Sequence, residues 1–250
     1  MNLYKVPEEK IEVVYEGANP MRNYELNSNL RTIPNTKYKI LDTEYLLFIG
    51  RLEERKNIVG IIEAYKILKE KYKISHKLVL VGKFGFGAER IKKEIEFQRG
   101  STSFDQSDQE RLNLCEEDII LTGFVSEEEK RELLKNADVF LFPTLYEGFG
   151  LPILEAQSVG VPVVASNNSS ISEVVQNRPP RSVSTDLGGL ETLGTAILVN
   201  PQNPSEIAEA VYKLISDKAL RDDIIKKGYE NVKRFSWEKC VEEIIGLFKK

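Results

Sequence analysis

The chain has 250 residues, long enough for one large domain, and its 35 Lys+Arg against 39 Asp+Glu leave a formal net charge of only −4. So even a balance excludes a strong field toward nucleic acid or anionic lipid. No apolar run approaches the roughly 20 residues of a spanning helix and residues 1–10 hold no signal-peptide core, which predicts a soluble protein and leaves only peripheral membrane contact open.

Taken in chain order, "EKIEVVYEGANP" (9–20) predicts one short strand and a turn, followed by a polar, Asn-rich connection to residue 44. From residue 45 a different pattern begins. Apolar runs "YLLFIG" (45–50), "KLVLVG" (77–82), "IILTG" (119–123), "VFLFP" (139–143), "VPVVAS" (161–166) and "AILVN" (196–200) alternate with segments of helical spacing. Near-continuous rather than alternating apolar strands indicate a sheet buried on both faces. Repeated strand–helix order then predicts an α/β, Rossmann-like doubly wound parallel sheet with right-handed crossovers. Ser126 followed by Glu129 reads as a capping box, Asn203 before Pro204 as a helix start, and Ser236 as the N-cap of a last helix striped by Val241, Ile244, Ile245 and Phe248. Two polar stretches, 99–113 and 177–194, read as long surface loops. Cys115 and Cys240 are isolated, which excludes CxxC zinc sites and suits a reducing, cytoplasmic setting with unpaired thiols.

Ligands of open α/β sheets bind outside the carboxyl ends of the strands, so the residues after each strand carry the functional reading. After the first, Gly50 permits close backbone approach while Arg51 and Lys56 place two cations of different geometry where a diphosphate would suit them; solvated surface charge is the plainer alternative. After the second, Lys83 stands in "GKFGFGAER", which has neither GxGxxG nor GxxxxGK[ST] spacing and so supports neither a dinucleotide fingerprint nor a P-loop. After the third, Gly123 and Val125 offer backbone groups to a planar ring, or simply make a turn. The fourth leads into "TLYEGFGLPILEA" (144–156), where Pro152 suits the first helical position and the amides of Phe149, Gly150 and Leu151 fall at a helix N-terminus that favours an anion. Gly148 and Gly150 clear side chains from that turn. Glu147 and Glu155 oppose a bound phosphate unless they face other parts of the ligand, and a carboxylate with two acceptor oxygens suits paired sugar hydroxyls.

The runs "FIGRLEERKN", "LVLVGK", "LTGFVSEEEKRELLKNADVFLFPTLYEGFGLPILEAQSVGVPVVASNNSSISEVV" and "AILVNPQNPSEIAEAV" together resemble the C-terminal, donor-binding half of the retaining glycosyltransferases of family four, with the GT-B fold, over about residues 8–250. The resemblance implies that residues 1–44 are the remnant of an interdomain hinge and 45–250 a nucleotide-sugar-binding domain. It implies that Arg51 and Lys56 neutralise the donor diphosphate, Glu147 contacts the transferred sugar near its reacting carbon, Glu155 binds the ribose, and Phe149, Gly150 and Leu151 supply amides, with Gly50, Lys83 and Gly148 lining the donor site. Val125 matches the position whose backbone meets the nucleobase. It further implies a hexose donor, GDP-mannose or a UDP-hexose, with no cofactor and no metal, and an acceptor domain absent from these residues. Ser172 stands where the family usually has a proline, and 177–194 is longer than the usual connection. Expected partners are a separate acceptor-binding chain or a second copy meeting the last helix; a non-catalytic nucleotide-sugar-binding subunit is the alternative to an enzyme.

Overall fold

The computed structural model describes residues 11–17, 43–99, 118–176 and 194–249. Within them β1 (Tyr45–Ile49), β2 (Lys77–Val81), β3 (Ile119–Gly123), β4 (Val139–Phe142), β5 (Val163–Ser166) and β6 (Ile197–Val199) form one parallel sheet in the order β3-β2-β1-β4-β5-β6. The central strand β1 pairs with β2 through Leu46–Leu78 and Leu47–Val79 and with β4 through Leu46–Val139. Each run expected from its apolar residues is a strand. The reason is visible in β1, where Tyr45, Leu46, Leu47 and Phe48 are all fully buried, each large side chain contributing about 1.5–3 kcal/mol by leaving water. The Tyr45 hydroxyl sits in that core because it donates to the Leu133 carbonyl at 2.7 Å, and burial raises its pKa.

The helices are α1 (Ile58–Lys71), α2 (Ala88–Arg99), α3 (Glu127–Lys135), α4 (Leu151–Ser158), α5 (Ile171–Gln176), α6 (Pro204–Ser216), α7 (Lys218–Val232) and α8 (Trp237–Phe248). α1 packs against α2 and α6, and α4 against α7. The expected caps form. Ser126 Oγ accepts from the Glu129 amide at 3.2 Å while Glu129 Oε2 accepts from the Ser126 amide at 2.8 Å. Asn203 Oδ1 accepts from the Glu206 amide, and Ser236 Oγ from that of Lys239.

Residues 11–17 contain no strand, contrary to the sequence expectation. Their β-branched residues find no ladder partner; instead Tyr15 packs its ring against Phe149 and Phe235, at 6.3 and 5.9 Å between centroids, and donates to Glu173 Oε2 at 3.3 Å. Side-chain docking has replaced strand pairing. The stretches 100–113 and 177–193, and Cys115, lie outside the described residues; Cys240 is free and buried. α8 keeps only Cys240 buried and leaves Val241, Ile244, Ile245 and Phe248 at 50%, 40%, 47% and 87% exposure. No described helix is long and apolar enough to cross a membrane.

The strand order fixes where a ligand can enter. The chain adds β2 and β3 on one side of β1, then returns to place β4 on the other. The loops leaving β1 and β4 diverge to opposite faces, and the crevice between them is the switch point of the sheet.

Candidate functional site

Two loops wall this crevice, and both are built from residues singled out in the sequence. The loop after β1 runs from Gly50 through a short 3₁₀ turn at Glu54–Lys56 to Asn57. Asn57 takes a left-handed conformation, φ +58°, which asparagine tolerates better than most residues. Its side-chain amide does not cap α1; it donates to the carbonyls of Pro143 at 2.9 Å and Pro201 at 2.6 Å. The loops after β1, β4 and β6 are thereby tied at one point. A second tie is the Leu145 amide on the Arg55 carbonyl at 2.9 Å.

These ties bring together Lys56 and Glu147, 91 residues apart in sequence. Lys56 Nζ forms an ion pair with Glu147 Oε1, the two side chains being 13% and 10% exposed. Lys56 also lies 5.3 Å from the Phe142 ring centroid. Arg55, not singled out in the sequence, holds the other carboxylate oxygen: its Nη1 is 3.4 Å from Glu147 Oε2 and donates to the Tyr146 carbonyl at 3.1 Å, while Nη2 pairs with Glu53 at 2.9 Å. Arg51 is exposed and pairs with no described residue. Of the two cations expected to face a diphosphate, one is free and the other is already neutralised.

The turn carrying Glu147 is held from behind by the loop after β5. The Glu147 amide donates to Ser169 Oγ at 3.2 Å, Ser170 Oγ donates to the Glu147 carbonyl at 3.0 Å and the Phe149 carbonyl at 3.3 Å, and Asn168 Nδ2 donates to the Leu145 carbonyl at 2.9 Å. Ser169 adopts φ +49° to reach. Nothing short-range in the sequence announces this clamp, which joins positions more than 20 residues apart.

Gly150, at φ +112° and ψ 37°, turns the chain into α4 one residue earlier than expected, so Leu151 is the first helical residue and Pro152 the second. Proline is tolerated there because the first helical amides have no intrahelical acceptor. No side chain caps this helix, and among the described residues the amides of Phe149, Gly150 and Leu151 meet no protein acceptor. Glu155 lies on the second turn, 28% exposed, with Oε1 3.0 Å from Lys130 Nζ. The remaining candidates follow β2, β3 and β4 in the chain. Val125 is buried, and Lys83 is exposed with Nζ 5.6 Å from the ring centroid of Phe124, itself 75% exposed. Gly148 has open space where a Cβ would stand. His76 sits just before β2, at the opposite end of the sheet, with Nε2 3.7 Å from Asp138. Among the described residues no group of three His, Cys, Asp or Glu is placed to hold a metal.

An unsatisfied helix N-terminus and a carboxylate–ammonium pair thus stand at the switch point, with a free guanidinium on the loop after β1. The family comparison is direct: "Glycosyl transferases group 1" matches residues 31–231. The chain belongs to the group 1 glycosyl transferases. O-antigen chain mannosyltransferase B of Escherichia coli is 32% identical over 213 residues, 85% of this chain and 48% of that protein. Among solved structures, Anabaena HepE in complex with UDP and glucose superposes with TM-score 0.61 at 20% identity, covering 85% of this chain and 50% of its own. The C-terminal domain of the group 1 glycosyl transferase LpcC from Francisella tularensis superposes with TM-score 0.57 at 24% identity, over 79% of this chain and 90% of that domain. At these identities the two structures establish the fold. The chain spans about half the length of the mannosyltransferase and of HepE.

Proposed function

We propose that this chain is the donor-binding half of a retaining hexosyltransferase, taking a hexose from GDP-mannose or a UDP-hexose to an acceptor hydroxyl, with no cofactor or metal. One observation carries the reading: Lys56 meets Glu147 at the switch point, beside the uncapped N-terminus of α4, and Arg51 is exposed on the same loop as Lys56. A nucleoside diphosphate fits that arrangement, its charge shared between the two cations and the free amides of Phe149, Gly150 and Leu151. Glu155 then lies beyond the diphosphate toward the nucleoside, where its carboxylate suits ribose hydroxyls, with the Val125 backbone near the base. Gly50, Lys83 and Gly148 border the same space.

In the reaction so drawn, the bond from the sugar C1 to the diphosphate oxygen breaks with its electron pair on the leaving diphosphate, the acceptor hydroxyl oxygen bonds to C1 on the same face, and its proton passes to the departing diphosphate oxygen. Arg51, Lys56 and the α4 dipole stabilise that charge, and Glu147 stabilises the positive character developing at C1. When the diphosphate arrives it competes with Glu147 for Lys56, so donor binding exchanges one ion pair for another and leaves Glu147 facing the sugar with Arg55 still beside it.

The mannosyltransferase relative favours GDP-mannose, and the HepE complex with UDP favours a UDP-hexose. Calorimetric titration with GDP-, UDP- and ADP-sugars separates them; binding of one donor that is weakened by Arg51→Ala and Glu155→Ala supports the reading, and binding of none overturns it. Residues 1–44 act as an interdomain hinge and the exposed stripe of α8 as the face for an acceptor-binding domain or chain or a second copy, in the cytoplasm, where the free thiol of Cys240 is stable. Sedimentation velocity tests the stripe: reversible self-association, abolished by Phe248→Glu, supports it, whereas a monomer that binds no hydrophobic dye contradicts it.

A further inference from the structure

Glu155 and the turn around Val125 belong to different elements, α4 and the β3–α3 loop, and one side chain joins them. Lys130 lies in the second turn of α3, and its ammonium sits between two carboxylates, 2.8 Å from Glu127 Oε2 and 3.0 Å from Glu155 Oε1. The Lys130 side chain is 16% exposed, against 77% for Glu127. This is therefore not a solvated surface pair of the kind that contributes little. Burial works to lower the Lys130 pKa, and the hydrogen bonds and charges of Glu127 and Glu155 more than reverse it, so the group remains an ammonium with its pKa raised.

The geometry at Glu155 is one-sided. Its Oε1 takes the ammonium, while Oε2 meets no donor among the described residues. A carboxylate left to itself on a helix samples several rotamers, and holding one oxygen removes that freedom before a ligand arrives. The holder also stands in the helix that Val125 and Ser126 lead into, so the carboxylate and the backbone next to it are set at one mutual position.

We propose that Lys130 is a positioning residue for the nucleoside: it fixes Glu155 through Oε1 so that Oε2 is presented to the ribose hydroxyls at a set distance from the Val125 turn. The proposal rests on the reading of the crevice as a nucleotide-sugar site and goes beyond it by giving α3 a part in nucleoside recognition. Lys130 acts through Glu155 and touches the ribose only by way of it. Glu127 steadies the ammonium from the solvent side.

The experiment is a cycle between protein and ligand. UDP and GDP, and their 2′,3′-dideoxy counterparts, are titrated by calorimetry into the wild type, Lys130→Met and Lys130→Arg, with thermal melting to confirm that each variant is folded. For whichever ribonucleotide binds, Lys130→Met is expected to lower affinity about tenfold, Lys130→Arg to recover most of it, and the dideoxy nucleotide to bind wild type and Lys130→Met alike. Equal losses on the ribo and dideoxy forms overturn the proposal, because Lys130 then supports the base, the phosphates or the fold at large. No loss on either form overturns it too, since Glu155 is then positioned without Lys130. Failure of the wild type to bind UDP or GDP at all is a different result, which removes the donor reading itself.

Discussion

On its β2 side the loop after β1 is held by a ladder of backbone hydrogen bonds. The amides of Gly50 and Leu52 donate to the carbonyls of Val81 and Lys83, both at 2.9 Å, and the Gly85 amide returns to Leu52 at 2.9 Å. On its β4 side the same loop is joined by one backbone bond, from Leu145 to Arg55, and otherwise by the side chains of Arg55, Lys56 and Asn57. Backbone bonds can be withdrawn only by unfolding the loop, whereas an ion pair can be traded for another partner of the same charge. One wall of the crevice is therefore a fixed frame and the other is a set of contacts that an anionic ligand can compete for.

The largest expected effect breaks the fixed side. Gly82 adopts φ +137°, and a Cβ there would stand 1.9 Å from the Gly50 carbonyl oxygen. Gly82→Ala should lower stability by about 3 kcal/mol in denaturant unfolding, since neither backbone has room to yield. A smaller loss would mean that the frame is pliant after all. On the exchangeable side Arg51 has no partner to lose, so Arg51→Ala should leave stability unchanged and weaken nucleoside diphosphate binding about thirtyfold, as expected for a charged hydrogen bond of about 2 kcal/mol.

Glu147→Gln sharpens the contrast because two effects oppose. Removing the carboxylate leaves the half-buried Lys56 ammonium unpaired, which should destabilise the ligand-free protein, and the same vacancy should raise affinity for a nucleoside diphosphate about fivefold by removing its competitor. On the proposed reading, sugar transfer should be lost in the same variant. If diphosphate affinity falls instead, Glu147 helps to bind it and the exchange of ion pairs is wrong. The smallest effect belongs to the clamp: Ser170→Ala should cost about 1 kcal/mol in thermal unfolding through its bonds to the Glu147 and Phe149 carbonyls, with Ser170→Thr recovering part of it.

Which parts of this were legible beforehand follows from the range of each interaction. The six strands were, because each is a continuous apolar run and a parallel sheet buries both faces of it. Residues 11–17 misled for the same reason: "IEVVY" has the composition of a strand, and composition is silent about whether an edge is available to pair with. Chemical types at the strand ends were readable, so Arg51, Lys56, Glu147 and Glu155 could be singled out one by one. Their pairings were not, because Lys56 meets Glu147 only after two loops from opposite sides of the switch point converge. Arg55, Lys130, Ser169 and Ser170 were missed altogether, being common polar residues whose roles are set by partners distant in sequence. Asn57 carried a faint signal, an asparagine just ahead of a helix, which suggests a cap; its side chain reaches across to Pro143 and Pro201 instead.

The most direct test of a donor diphosphate held at the switch point is a backbone amide titration by NMR, adding UDP or GDP to isotope-labelled protein. The largest shifts are expected at Phe149, Gly150 and Leu151, with smaller ones at Arg51 and Val125. Shifts centred instead on the cavity of about 120 Å³ beside the start of α1, lined by Asn57, Gly60, Arg90 and Pro201, would contradict the account.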